Sequence, residues 1–462
     1  MYQPNSPQFP ADFIFGVADA DLQVIGEAAC LKEEGAEETM WLDFSRQKGK
    51  VWGGHTTLEG VDRYHRWRED IELLKRLNVK HYRTSVSMSR VLRSDGSINQ
   101  QAIDWYNRYF GALREAGISV YATVYHWELP NYLSRAGGWK NRATVDHVVT
   151  HGTVVARELG SYIDELFVLN EPFQSTFDSY FTGVHAPGET DIKGAVMAVH
   201  NILLAQGRTT RAIREALPRA SISTVYNPSV TYSATTEPQD VEAAIRAWEF
   251  HTGIFTEPLY RGEYPEFVLK RFGDLYPVTL ANDLEEMRVG NQLNAFGVNY
   301  YRGKLVERDV EHPFGFREVR YPQGIVNGLG WPVFVAPTYP EGFYDLLTEL
   351  HRRYEAYGMK ALYITENGTC WEDSPNAKGD FEDDFRIFYL REHLAQVHKA
   401  ILAHVPVKGY FAWTLLDNFE WDLGYRPESC FGLVHVDRES MKRTPKKSFA
   451  WYCDLIESKT LG

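Results

Sequence analysis

Four cysteines in 462 residues, Cys30, Cys370, Cys430 and Cys453, form no Cys-x-x-Cys pair and no Cys/His cluster at zinc spacing. That scarcity excludes a disulfide-stapled scaffold and a structural zinc module, and the thiols read as free in a reducing compartment. No apolar run approaches the roughly 20 residues a membrane helix needs. The start, Met1-Tyr2-Gln3-Pro4-Asn5-Ser6-Pro7, lacks the basic and apolar regions of a secretory signal. The expectation is a cytoplasmic protein with no membrane partner. Basic excess is missing too: 62 acidic residues against 49 basic ones leave a net charge of −13, with no block of five or more like charges. That balance argues against nucleic acid and anionic membranes as partners. No low-complexity linker or shift in composition divides the chain, so residues 1–462 are expected to form one domain.

What is present suits a large globular core. Hydrophobic residues make up 44% and charged ones 24%, which excludes extended disorder. Aromatic residues reach 14%, with 12 Trp and 27 Tyr. Most of these rings belong in a core, but the excess also fits a sugar-binding cleft, where C–H faces stack on rings and hydroxyls need polar partners.

Short β-rich runs alternate with amphipathic stretches. Ile103, Tyr106, Phe110 and Leu113 follow 3, 4, 3 spacing, one face of a helix, and a strand reading at 118–125 comes after Gly117. Val61, Tyr64, Trp67, Ile71 and Leu74 form a similar stripe before a strand at 81–85. Ile387, Leu390, Leu394, Val397 and Ile401 do so before one at 409–414. Further strands are predicted at 13–17, 166–169, 222–226, 295–298 and 362–365. Eight strands in β–α alternation favour a parallel sheet closed into a (β/α)₈ barrel, with its site at the C-terminal strand ends.

Those ends carry polar chemistry. In chain order they offer Gln23, Arg83, His126-Trp127-Glu128, Asn170-Glu171-Pro172, Tyr226-Asn227, Asn299-Tyr300-Tyr301, Thr365-Glu366-Asn367-Gly368, and Trp413 followed by Asn418-Phe419-Glu420-Trp421. Each motif alone has a bland reading. A Glu before Pro is usually an exposed loop acid, and Thr-Glu-Asn-Gly reads first as a turn. Trp-Glu-Leu-Pro fits a plain strand exit. Random loop chemistry does not, however, put acids at the fourth and seventh strand ends and amides, His and Trp at the others.

At these residues the chain resembles glycoside hydrolase family 1, the β-glucosidases, β-galactosidases and 6-phospho-β-glycosidases. The resemblance runs from Phe9-Pro10-Ala11-Asp12-Phe13 through Tyr64-His65-Arg66-Trp67, Tyr125-His126-Trp127-Glu128-Leu129-Pro130 and Gly183-Val184-His185-Ala186-Pro187-Gly188. It extends to Phe431-Gly432-Leu433-Val434-His435 and Arg443-Thr444-Pro445-Lys446. It implies a retaining exo-β-glycosidase, most simply a β-glucosidase, acting on a small β-glycoside or oligosaccharide. No metal or cofactor is implied, and a homo-oligomer is left open. By position it implies Glu171 as acid/base and Glu366 as nucleophile. Gln23, His126, Asn170, Glu420 and Trp421 would hold the first sugar, with Trp413 beneath it and Gln23 and Glu420 gripping from opposite sides. Tyr301 and Arg83 would contact the nucleophile and keep it ionised, Trp331 would stand at the aglycone entrance, and Asn299, at the sixth strand end, is counted with the substrate-binding residues.

Glu420 disfavours a 6-phosphate, and no Lys lies between it and Phe431. Several positions depart from the family pattern: Asp21, Leu22, the displaced Glu27, Met88, Thr369 and a longer segment after Trp331. The expectation is that Asp21 and residues 336–339 reshape the entrance. Two rival readings are a binding protein that has lost catalysis and a transglycosylase using the same intermediate.

Overall fold

The computed structural model describes residues 7–277, 279–319, 325–334 and 340–462, with backbone alone at 325 and 332–334. Eight parallel strands close into a barrel: β1 Ile14–Ala18, β2 His81–Ser85, β3 Ser119–Tyr125, β4 Ile163–Asn170, β5 Ile222–Tyr226, β6 Phe296–Asn299, β7 Leu362–Asn367 and β8 Val407–Trp413. Each pairs with its chain neighbours, and β1 pairs with β8 to close the ring. All eight predicted strands are present, with ends displaced by at most three residues at one terminus and two at the other.

Helices cover the outside. They include α1 Arg63–Arg76, α2 Gln100–Glu115, α3 Ala143–Glu158, α4 Ile192–Ala216, α5 Pro238–Trp248, α6 Ile254–Tyr260, α7 Glu341–Tyr354, α8 Asp384–Leu402 and α9 Lys447–Ser458. The stripe of α2 is fully buried at Ile103, Tyr106, Phe110 and Leu113, so the 3.6-residue period does face the barrel wall. Trp67, Ile71 and Leu74 do the same for α1.

Small residues make room inside the barrel. A Cβ on Gly16 of β1 would lie 2.5 Å from the Phe411 ring and 2.6 Å from the His81 carbonyl, so only glycine fits there. Tyr121, Phe167, Val225, Phe411 and Trp413 fill the interior as a cluster separate from the strand–helix layer.

The sequence pattern did not announce the additions at the rim. A three-stranded sheet of Thr231–Ser233, Lys304–Arg308 and Phe316–Glu318 follows β5 and β6. A hairpin of Val434–Val436 and Arg443–Pro445 follows β8. These strands are too short to show a period.

Candidate active site

Two strands bend their register where the acids stand. In β7, Tyr363 packs into the interior cluster and Ile364 into the outer layer. Strict alternation would send Glu366 outward with Ile364. The pairing with β6 shifts register between Ile364 and Glu366, and the carboxyl enters the barrel mouth. In β4 the pairing with β5 shifts between Phe167 and Asn170, which turns Asn170 inward in the same way. Glu171 follows in left-handed backbone, φ 46°, as do Trp127 at 65° and Trp421 at 49°. Such geometry costs a non-glycine residue of order 1–3 kcal/mol and clusters at functional sites.

Arg83 of β2 is fully buried and organises the floor. Its Nη1 donates to Glu366 Oε1 at 2.7 Å and its Nη2 donates to Asn170 Oδ1 at 2.7 Å. Tyr301 O–H donates to the other Glu366 oxygen at 2.9 Å. Asn299 Nδ2 donates to Glu171 Oε1 at 2.6 Å and to Asn170 Oδ1 at 3.1 Å, while its Oδ1 accepts from Thr365 Oγ1 at 2.7 Å. Asn170 Nδ2 faces His126 Nε2 at 3.1 Å.

Glu171 and Glu366 line one cavity of about 200 Å³. Burial, and then the charge on Glu366, push the Glu171 carboxyl well above the ordinary carboxylate range. Burial also raises Glu366, but Arg83 and Tyr301 oppose it, so its shift is the smaller and Glu171 is the member that keeps the proton. His126 is held neutral, its pKa lowered well below the usual value by burial and by Arg83. The polar atoms beside the cavity without a partner in the protein include Gln23 Oε1 and His126 Nδ1. Their residues are buried, which is the condition of groups that await a hydroxyl-bearing ligand.

The model of glycosyl hydrolase family 1 matches residues 5–461. β-Glucosidase A of Thermotoga maritima is 37% identical over 461 residues, covering 99% of each chain. A β-glucosidase of Agrobacterium sp. is 37% identical over 469 residues, covering 100% of this chain and 98% of that one. Among solved structures, the family 1 β-glucosidase from T. maritima superposes with a TM-score of 0.93 at 36% identity, covering 99% of this chain and 100% of that one. The same enzyme complexed with a cyclophellitol analogue described as a transition state mimic matches equally, at a TM-score of 0.93 and 36% identity over 99% and 100% of the two chains. The chain belongs to glycosyl hydrolase family 1. It is a β-glycosidase on a TIM barrel, and the fold and activity that the motifs implied both stand.

In this hydrolase His126, Glu171, Tyr301, Trp331, Glu366, Trp413, Glu420 and Trp421 all line the cavity. Arg83, Asn170, Asn299 and Gln23 stand behind that lining and act on it through hydrogen bonds. The expected opposition of Gln23 and Glu420 is corrected: Gln23 Nε2 donates to Phe419 O at 2.7 Å and faces Glu420 Oε2 at 3.4 Å. They are neighbours because barrel closure sets the loop after β8 against the loop after β1. His126 lies nearly parallel to Trp413 and to Trp421, with centroids at 6.0 and 6.2 Å.

Asp21 does not reach the entrance. It is buried, and both its oxygens accept from Arg90 Nη1, at 3.3 and 3.2 Å, beside the Arg90–Glu34 pair. The turn after β1 points it away from the cavity, so its effect on the mouth is ruled out as a direct one. Residues 336–339 lie outside the described residues. Glu27, out of step with the family pattern, accepts hydrogen bonds from Thr39 and Thr57 inside the protein.

Sequence reasoning assigned no role to several lining residues: Trp127, Gln174, Asp178, His185, Asn227, Leu329, Asp422, Leu423 and Phe431. His185, Asn227 and Phe431 sit inside motifs already noted, so a signal existed for them. Asp178 comes from the irregular helical turn Gln174–Asp178, whose place over the mouth no local pattern shows. Among the described residues, no His/Cys/Asp/Glu group is arranged to hold a metal ion. No helix there is long and apolar enough to cross a membrane.

Proposed function

We propose that this hydrolase is an exo-acting β-glucosidase that works with retention through Glu366 as nucleophile and Glu171 as acid and then base. The observation that carries the reading is one cavity holding two carboxyls in unlike settings. Glu366 is gripped by Arg83 and Tyr301, and Glu171 by the Asn299 amide alone. Glu171 protonates the leaving oxygen while Glu366 attacks the anomeric carbon, through an oxocarbenium-like transition state. Once the glycosyl ester forms, the negative charge beside Glu171 is gone. Its pKa falls, and it takes a proton from the attacking water.

The rival reading of a binding protein without catalysis is disfavoured, since both carboxyls and their supports are in place. The relatives named β-glucosidase support glucose as the terminal sugar. The absence of a lysine or arginine among the described cavity-lining residues supports a sugar without a phosphate. Residues 1–462 act as one catalytic unit in this reading, with a small β-glycoside or oligosaccharide as its partner, and the site of action is the cytoplasm.

Glu366→Ala should abolish turnover of an aryl β-glucoside, and azide should restore part of it with an α-glucosyl azide as product. Full activity in that variant, or a β-azide, would refute the nucleophile. Glu171→Ala should cost about 10²–10⁴-fold on glucosides with poor leaving groups and far less on dinitrophenyl glucosides. Equal losses on both would remove Glu171 from the acid role.

A further inference from the structure

The catalytic cavity is acidic beyond what bond cleavage needs. Among the described residues, five carboxyls line it, Glu171, Asp178, Glu366, Glu420 and Asp422, and no lysine or arginine does. They are arranged by depth. Glu171 and Glu366 are buried at the bottom, with 4% and 3% exposure. Glu420 is next, and Asp422, with its side chain 37% exposed, and Asp178 form the outer wall. The terminal sugar occupies the bottom in the reading proposed above, so the leaving group passes Asp178 and Asp422 on its way out.

We propose that Asp178 and Asp422 set the aglycone preference of this enzyme, selecting leaving groups that carry a positive charge over those that carry a negative one. The two act on each other and on the deeper acids: Asp422 is felt by both Asp178 and Glu420, and Asp178 by Glu171. Neither lining histidine offsets them, since burial lowers His185 to about 3 and holds His126 well below its usual value. His185 Nε2 lies 3.7 Å from Asp422 Oδ1, and its Nδ1 has no partner. The Gln174 Oε1 beside Asp178 is likewise without one, so the outer wall offers acceptors in excess of donors. Among the described residues, the cation that acts on Asp178 is Lys304. Lys304 is already engaged by Glu318 at 3.1 Å, as is Arg302, and it faces the neutral His251. Thr182 Oγ1 approaches Asp178 at 3.5 Å. A cation brought to this wall meets two carboxylates in a partly desolvated setting, where attraction exceeds its value in bulk water.

The charge on the wall depends on pH. Burial pushes Asp178 up to about 7 and Asp422 up to about 6. Each carboxylate is charged only above its raised value, so the preference grows as pH rises from 5 to 8 and is small at the acidic end.

The test uses three aryl β-glucosides of matched size, carrying para aminomethyl (protonated throughout), hydroxymethyl or carboxylate groups. Hydrolysis of the hydroxymethyl substrate tests the β-glucosidase reading on which this proposal rests. The charged pair, normalised to it, tests the proposal itself. At pH 8 and low salt the wild type should favour ammonium over carboxylate by about tenfold in kcat/KM. The ratio should shrink at pH 5 and in high salt, and Asp178→Asn/Asp422→Asn should remove most of it. An equal ratio in wild type overturns the proposal, as does a ratio that the double variant leaves intact or a loss uniform across the three substrates. If the double variant does not fold, the wild-type pH and salt series decides: a flat ratio overturns the proposal and a rising one supports it.

Discussion

A carboxyl that must deliver a proton near neutral pH has to be kept from losing it. In the acid role proposed for it, Glu171 meets that need by burial, reinforced by the charge on Glu366. Because its pKa in the folded enzyme is raised, the protonated form persists below that value and is lost as pH climbs through it. The basic limb of kcat/KM should therefore lie well above the range of an ordinary carboxylate and report Glu171. In Glu171→Gln, measured on a dinitrophenyl glucoside whose departure needs no acid, that limb should vanish. Its persistence would assign the limb to another group. Glu366 faces the opposite demand, and the supports that answer it are specific atoms, both Arg83 Nη1 and the Tyr301 hydroxyl within 2.9 Å.

Between neighbouring strands, orientation is decided by contacts of single hydroxyls and amides. Thr365 of β7 donates to Asn299 Oδ1 of β6, which fixes the amide so that its nitrogen faces Glu171. Thr365→Val keeps shape and removes the donor. It leaves a buried acceptor unpaired, at a cost of about 1–3 kcal/mol, and frees the amide to rotate its oxygen toward Glu171. Both the thermal midpoint and kcat/KM should fall, the latter by roughly tenfold for about 1.4 kcal/mol of lost transition-state stabilisation. An unchanged kcat/KM with a lowered midpoint would confine Thr365 to a structural role. The register shifts in β4 and β7 belong to the same scale, since each re-aims one residue without moving the strand.

Over the whole barrel, closure brings distant segments together. Gln23 and Glu420 meet though 397 positions separate them in the chain. At the opposite end from the cavity, Glu165 of β4 is buried, with both oxygens accepting from serine hydroxyls, Ser221 and Ser223. Burial raises its pKa to about 7. A raised carboxyl binds more protons in the folded state than in the unfolded one between its unfolded value and that pH. Stability from this group is thus highest in acid and falls as pH rises through the window. Glu165→Gln cannot ionise, so its thermal midpoint relative to wild type should improve from pH 5 to pH 8. A constant difference across that range would contradict the assignment. Because no lining residue set is arranged as a metal site among the described residues, chelator should leave activity unaltered, which dialysis against EDTA would check.

The chain by itself determined the eight strands, the helical stripes and nearly every residue of the proposed reacting centre. Period, propensity and motif spacing are local properties that a linear text preserves, and Glu171, Glu366, Arg83 and Tyr301 all lie in such motifs. The tertiary structure alone decided three things. It turned Glu366 and Asn170 inward against strand parity, because a register shift exists only between paired strands. It placed Gln23 beside Glu420 and turned Asp21 toward Arg90, because closure sets which loops touch. It brought Asp178 and Asp422 to one wall of the cavity, because the electrostatics of a mouth arise from residues that share space and no sequence pattern.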